Sequence, residues 1–245
     1  VSGDIDTSLK GCTIMCSMVW TWLRHLGVEA SVVNNGDDCV VIMEEVDRAK
    51  FSRGMEEYFA KLGFEIVAEE PVYEIERIEF CQSRPVVCNN GSYVMCRNPR
   101  VATVKDSMCR IPIERAKDAK NWMSAVASCG LALAGDMPIF ANYYRMFERE
   151  AGLKSRSWVK QSGLFANGLL HLSKGMSIRE GVADATRISF WRAWGILPHE
   201  QRAIEEYYDG VNLSCEFIGP IENCAQDSFH TPPTYQVLAN GEETF

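Results

Sequence analysis

Two adjacent carboxylates, Asp37 and Asp38, follow Gly36 between two apolar runs, Ala-Ser-Val-Val at 30–33 and Cys-Val-Val-Ile-Met at 39–43. Asn34, Asn35 and Gly36 are residue types that tolerate the positive φ of tight turns, so the pattern reads as strand, turn, strand. Like charges held this close repel, and a bound divalent cation relieves the repulsion. Ligands made only of oxygen suit Mg²⁺ or Mn²⁺. An acidic hairpin tip can also serve solubility alone, so the meaning of the pair depends on the segments around it.

The segment Ser2-Gly3-Asp4-Ile5-Asp6-Thr7-Ser8 lies upstream and opens a helix. Asp6 or Thr7 can cap it by accepting a hydrogen bond from an orphan N–H. Leu9, Cys12, Cys16, Val19, Leu23 and Leu26 recur at spacings of three and four, predicting one buried stripe that ends at Gly27. This is either an ordinary capped helix behind a Ser-Gly turn or something more specific. In the second reading a glycine loop offers hydroxyls and amides to a nucleotide, with a rigid helix holding it beside the carboxylates.

The elements needed to carry these groups follow from the rest of the pattern. A second helix is predicted over 47–62, with Phe51, Met55, Tyr58 and Leu62 on one face, and a short strand over 64–68. Further strands are predicted at 72–81, 86–88 and 92–96, with Asn89-Asn90-Gly91 as a hairpin turn. Helices are expected over 114–134, 138–151, 177–194 and 198–209, with Pro138 and Pro198 near helix starts, where a missing N–H costs least. A loop containing Gly163, Gly168 and Gly175 separates the second and third of these, and an irregular tail follows Gly210.

The chain has 245 residues, 47% apolar and 24% charged, enough to bury a substantial core. No run approaches the eighteen or so apolar residues of a membrane span, and no signal peptide is evident. The chain begins at Val1 with its strongest motif immediately following, as a piece of a longer protein would. Ten cysteines are scattered through the helix and strand patterns without paired Cys-x-x-Cys spacing, which favours buried, reduced thiols over zinc.

The net charge of −8 is unevenly spread. Residues 97–160 carry 12 basic and 6 acidic side chains, whereas 1–96 carry 8 and 16. Arg97, Arg100, Lys105, Arg110, Arg115, Lys117 and Lys120 crowd the basic section, which reads as a phosphate track or a solvated helix face and loop.

Ser-Gly-x-x-x-Thr, a helix, and a strand–Gly-Asp-Asp–strand hairpin together resemble motifs B and C of viral RNA-dependent RNA polymerases. Residues 71–82, Pro-Val-Tyr-Glu-Ile-Glu-Arg-Ile-Glu-Phe-Cys-Gln, resemble the motif E region of tombusvirus-like plus-strand RNA viruses. Residues 189–201, Ser-Phe-Trp-Arg-Ala-Trp-Gly-Ile-Leu-Pro-His-Glu-Gln, resemble the closing thumb segment of the same group. The resemblance implies an α+β right-hand polymerase, with a partial palm of antiparallel sheet and helices over 1–113. A mainly helical thumb would occupy 114–210 and a tail 211–245, with the fingers and motif A absent.

The implied reaction is two-metal nucleotidyl transfer from ribonucleoside triphosphates to a nascent RNA on an RNA template. Asp37 would be the principal Mg²⁺ or Mn²⁺ ligand and Asp38 a secondary one. Ser2, Gly3, Asp4 and Thr7 would hold nucleotide, ribose or template. Phe80, Cys81 and Gln82 match the primer-gripping hairpin, and Arg97, Arg100 and Lys105 would contact RNA. Other replicase subunits and host membranes would be engaged through regions outside this chain, in replication complexes of the host cytoplasm.

Two departures from the family pattern stand out. Gly11 occupies the position where motif B usually carries Asn, so an amide donor to a sugar hydroxyl is missing. Motif A and the basic fingers segment are expected upstream of Val1, and the motif D general acid is not evident, Lys61 lying on a helix. Two other classes remain open: a reverse transcriptase-like palm polymerase, and a non-catalytic RNA-binding or assembly module. Reverse transcriptases more often carry an aromatic–x–Asp–Asp turn and lack the Ser-Gly-x-x-x-Thr helix entry. Because two carboxylates on one turn cannot complete a two-metal clamp, purified residues 1–245 are predicted to incorporate no nucleotide in a primer-extension assay; measurable incorporation contradicts this.

Overall fold

Thr7–Leu26 forms helix α1, which stops at Gly27 in the left-handed region, with φ 60 and ψ 43. Glycine takes that conformation without a Cβ penalty, and its N–H closes the last turn on the Leu23 and Arg24 carbonyls. Arg24 and His25 in the last turn complement the negative end of the helix dipole. The computed structural model describes residues 6–109, 116–153, 168–214, 235–236 and 238–239. The chain divides between Ser83 and Arg84 into two compact units.

In the first unit the apolar stripe of α1 differs from the predicted one. Met18, Val19, Trp22 and Leu23 are buried, whereas Leu9 is 71% exposed and Cys16 is exposed. Apolar residues cover so much of this helix that spacing alone fits more than one face. Burial is decided by the helices that dock on its second half.

Ala30–Asn35 (β1) and Asp38–Met43 (β2) pair antiparallel, in register from Ala30↔Met43 to Asn35↔Asp38. The turn is therefore Gly36 and Asp37 alone. Asn34 and Asn35, expected in the turn, are the last two residues of β1.

The predicted helix 47–62 is two helices, α2 (Glu45–Ser52) and α3 (Met55–Lys61), broken at Gly54 with φ 79. Met55 and Phe59, four residues apart on one face of α3, enter the core together, while Leu62 stays 46% exposed. Around them the Trp22 indole stacks on Tyr58 at 4.8 Å and donates to the Phe51 carbonyl at 3.0 Å. The Tyr58 hydroxyl donates to the Met18 carbonyl at 3.3 Å.

The strands predicted at 64–68 and 72–81 do not form. Residues 64–74 carry neither helix nor strand, and Ile75–Arg77 is a short 3₁₀ turn. Alternation makes a strand only where a neighbour supplies the ladder, and here the pairing is a single bridge, Phe80↔Ser83. That bridge closes a two-residue turn in which Cys81 and Gln82 both have positive φ, 51 and 57, the sign pattern of a type I′ turn.

In the second unit Ser83–Val87 (β3) and Tyr93–Arg97 (β4) form the hairpin that Asn89-Asn90-Gly91 predicts. The Cys88 N–H donates to the Ser92 carbonyl at 2.7 Å, and Gly91 takes a φ of 80. The basic run then contains a helix the pattern did not reveal, Pro99–Ser107 (α4). Pro99 sits in its first turn and the Asn98 side chain accepts from the Arg100 N–H at 3.0 Å.

Ala116–Ala134 (α5) is buried nearly all round, and Phe140–Ala151 (α6) packs on it. Small residues allow the close approach: a Cβ on Gly130 would lie 2.2 Å from the Tyr144 ring. Leu169–Leu172 (α7) is a single turn, Asp184–Trp194 (α8) is shorter than the predicted 177–194, and Pro198–Gly210 (α9) matches its prediction to within a residue. Residues 177–183 stay non-helical, with the Glu180 and Gly181 carbonyls accepting from the Asn89 amide at 3.3 and 2.7 Å. The tail, expected to be irregular, contributes Tyr235–Gln236 (β7) to Met108–Cys109 (β5) and Leu238–Ala239 (β8) to Leu213–Ser214 (β6).

Among the buried ion pairs of this unit, two gather further donors around a carboxylate. Arg97 makes a two-pronged pair with Asp106, at 2.6 and 3.1 Å, and the Tyr144 hydroxyl donates to the same carboxylate at 2.6 Å. Arg187 pairs likewise with Glu205, which also accepts the Ile139 N–H at 2.9 Å. That contact holds Ile139 at a φ of 67, a conformation rare for a β-branched residue. Asp106 is 1% exposed, so Asp106→Ala strands the Arg97 charge and the Tyr144 hydroxyl. Loss of about 3–5 kcal/mol of stability is predicted in denaturant unfolding; an unchanged midpoint contradicts this role.

Candidate functional site

The Asn35↔Asp38 register makes Asp37 the last loop residue and Asp38 the first residue of β2, so both carboxylates emerge at one end of the hairpin. Both are exposed. Gly36, at φ 72, supplies the positive φ at the first loop position. A positive φ there alone is the sign pattern of a type II′ turn, whose twist suits a right-twisted hairpin.

Side chains from three segments fasten this tip. The Asn34 amide donates to the Gly36 carbonyl at 2.9 Å and the Asp38 carbonyl at 3.0 Å. From α1, the Cys12 sulfur accepts the Gly36 N–H at 3.1 Å, and Cys16, one helical turn on, donates to the Asn34 side-chain oxygen at 3.6 Å. From the Phe80–Ser83 turn, the Cys81 sulfur accepts from the Asn35 amide at 3.1 Å. Burial, and then the neighbouring Cys16, pushes the Cys39 thiol up from its ordinary range, keeping it protonated near neutral pH.

Gly11 also belongs to this packing. A Cβ built on it would lie 3.5 Å from the Gly36 Cα, an ordinary van der Waals contact. The helix therefore carries the turn almost backbone to backbone, with room for one methyl group.

The remaining predicted site residues are distributed as follows. Ser2, Gly3 and Asp4 lie outside the described residues, as do Arg110 and Arg115. Asp6 occupies the cap position of α1 without a capping hydrogen bond from its side chain. Its ψ of 5 departs from the extended conformation that aims a cap side chain at the helix N–H groups, and its carboxylate pairs with Lys10 at 2.6 Å instead. Thr7 is the exposed first residue of α1; Phe80 and Cys81 are half-buried and Gln82 is exposed. In the second unit Arg100 and Lys105 are exposed on α4, whereas the Arg97 guanidinium is engaged by Asp106 and Tyr144.

Asn34, Asn35, Cys12 and Cys16 are tip supports that the pattern did not assign. The four-residue spacing of the two cysteines was visible but fitted a buried stripe equally well. Among the described residues no three His, Cys, Asp or Glu side chains gather as a metal site. Asp37 and Asp38 present hard oxygen donors, the ligand type that suits Mg²⁺ or Mn²⁺.

Residues 1–216 match a protein family described as viral RNA-dependent RNA polymerase. The chain is 40% identical over 222 residues to the RNA-directed RNA polymerase of Turnip crinkle virus, covering 89% of this chain and 28% of that protein. It is 41% identical over 223 residues to that of Oat chlorotic stunt virus (isolate United Kingdom), covering 87% and 29%. Against that of Tobacco necrosis virus (strain A) it is 37% identical over 223 residues, covering 91% and 30%. The chain thus spans less than a third of the length of these relatives.

The packing yields a paired test. Gly11→Ala should leave the hairpin in place and raise stability by about 1 kcal/mol through helix propensity. Gly36→Ala, forced into a positive φ, should lower stability by about 1–2 kcal/mol. Thermal unfolding of the two variants in parallel reads this, and equal shifts of one sign contradict the geometry.

Proposed function

Because the chain belongs to the family of viral RNA-dependent RNA polymerases, we propose that it forms part of an enzyme joining ribonucleotides on an RNA template during replication of a plus-strand RNA genome. The observation that carries this reading is the hairpin tip: two adjacent, exposed carboxylates at a two-residue turn, braced by a helix and a second tight turn. Residues 1–113 form most of a palm and 114–210 a helical thumb, with the β3–β4 hairpin and α4 sharing one compact unit with the thumb helices.

Asp37 is the principal ligand for Mg²⁺ or Mn²⁺ and Asp38 the accessory one, the other ligands coming from outside this pair. When bound, such ions acidify the attacking 3′-hydroxyl and neutralise charge on the pyrophosphate leaving group. The protein's part is positional. The hairpin fixes the carboxylates relative to α1, whose entry segment, with Ser2, Gly3, Asp4 and Thr7, receives ribose, triphosphate or template. Gly11 offers no side-chain amide to a sugar hydroxyl, so ribose selection falls to the hydroxyls and carboxylate of that entry segment.

Phe80, Cys81 and Gln82 form the turn that meets the nascent strand. Arg100 and Lys105, exposed along α4, attract the RNA phosphates. Arg97, the last residue of β4, pairs with Asp106 and so ties the last turn of α4 to that strand. Template, nascent RNA and ribonucleoside triphosphates are the partners of this part. Contacts with host membranes in the cytoplasm, and with further replicase subunits, fall to regions outside this chain; among the described residues no helix is long and apolar enough to cross a membrane.

The test uses the longer polymerase that contains this chain. Asp37→Ala should reduce nucleotide addition by about a hundredfold or more, several kcal/mol of lost charge stabilisation. Stability should move by no more than about 0.5 kcal/mol, as for other exposed positions. Asp38→Ala should do less damage. Unchanged polymerisation in Asp37→Ala refutes the assignment.

A further inference from the structure

We propose that Cys12 and Cys81 are positioning residues for the reaction, two sulfur acceptors that set where the Gly36–Asp37 turn holds its carboxylate. The inference rests on the metal-ligand reading of Asp37 and goes beyond it.

Three observations carry it. The N–H that opens the turn, that of Gly36, donates to the Cys12 sulfur at 3.1 Å. The strand residue just before the turn, Asn35, donates its amide to the Cys81 sulfur at 3.1 Å. The two acceptors arrive from different places in the sequence, helix α1 and the Phe80–Ser83 turn, and each reaches a residue within two positions of Asp37.

The geometry around each sulfur points the same way. Cys12 follows Gly11, where an added Cβ would just touch the Gly36 Cα at 3.5 Å, so this turn of α1 runs close beside the hairpin backbone. Cys16, on the same face as Cys12, donates to the Asn34 side chain, which in turn holds the Gly36 and Asp38 carbonyls. Cys81 sits at a φ of 51, in a turn whose two central residues are both left-handed without being glycine. Such conformations are retained where the surroundings over-determine them, and they cluster at functional sites.

Sulfur is a weak, polarizable acceptor compared with a carbonyl oxygen. A tip fastened by sulfur is held in place yet can shift slightly as the charge beside it changes. An apolar side chain of similar size at position 12 would fill the space but orphan the Gly36 N–H. The turn would then relax away from α1, and the Asp37 carboxylate with it.

The experiment measures primer-extension rate against Mg²⁺ concentration in the longer polymerase. Cys12→Val should raise the Mg²⁺ concentration for half-maximal rate by about three- to tenfold, the effect of one lost hydrogen bond. The KM for nucleoside triphosphate at saturating Mg²⁺ should stay unchanged. Cys12→Ser, which restores an acceptor, should recover most of the shift. Cys81→Ala should give a smaller shift in the same direction.

Asp37→Asn run alongside separates the two levels of the argument. Activity in Asp37→Asn removes the metal-ligand reading itself. An inactive Asp37→Asn with unaltered Mg²⁺ dependence in Cys12→Val and Cys81→Ala overturns the positioning role alone. Should Cys12→Val fail to fold, Cys81→Ala decides: it lies on a half-exposed turn outside both cores, and an unmoved Mg²⁺ dependence there overturns the proposal.

Discussion

The register of one hairpin governs the site. With Asn35 opposite Asp38, only Gly36 and Asp37 remain to turn the chain, and the two acids emerge side by side at its end. A slip of one residue would exchange the two faces of each strand and carry Asp37 into the ladder. The register is specified twice. Gly36 provides the positive φ that a two-residue loop demands, and the Asn34 amide closes on carbonyls at both ends of that loop.

The first unit is built to carry this tip more than to bury it. Its core lies in the second half of α1, where Trp22 stacks on Tyr58 and Phe59 is fully enclosed. The first half of the same helix leaves Leu9 and Ile14 largely exposed and spends its inward face on the hairpin turn. In the second unit stability has a different source. Small residues let α5 and α6 approach closely, and Asp106 and Glu205 each gather several donors in the interior. Burial of that kind raises the Tyr144 hydroxyl well above its ordinary pKa, desolvation and the neighbouring Asp106 acting together. The Tyr144 phenol therefore stays protonated and keeps donating to Asp106 across the neutral range.

What could be read from the sequence was local. Gly27 ends α1, Asn89-Asn90-Gly91 makes its hairpin, and Pro198 opens α9, because each signal acts on its own backbone. What could not be read depended on distant partners. The break at Gly54 lets α3 take its own direction, which is set by the core that Met55 and Phe59 join. Among the described residues the run 72–81 pairs only at Phe80↔Ser83, with no neighbouring strand to complete it. At the tip the hairpin that presents the two carboxylates was legible, while its supports were not. Cys12 and Cys16 look like any apolar stripe until the hairpin is placed against them, and Asp6 looks like a cap until its ψ is known.

The central proposal is that the Gly36–Asp38 turn helps to hold a divalent cation. Iron(II)-directed hydroxyl-radical cleavage of the longer polymerase tests it directly, since Fe²⁺ occupies oxygen-ligand sites of this kind and cuts the backbone beside it. Scission concentrated around residues 35–38, suppressed by excess Mg²⁺ and lost in Asp37→Asn, is the predicted result. Cutting that falls elsewhere, or that ignores both Mg²⁺ and the substitution, contradicts the account.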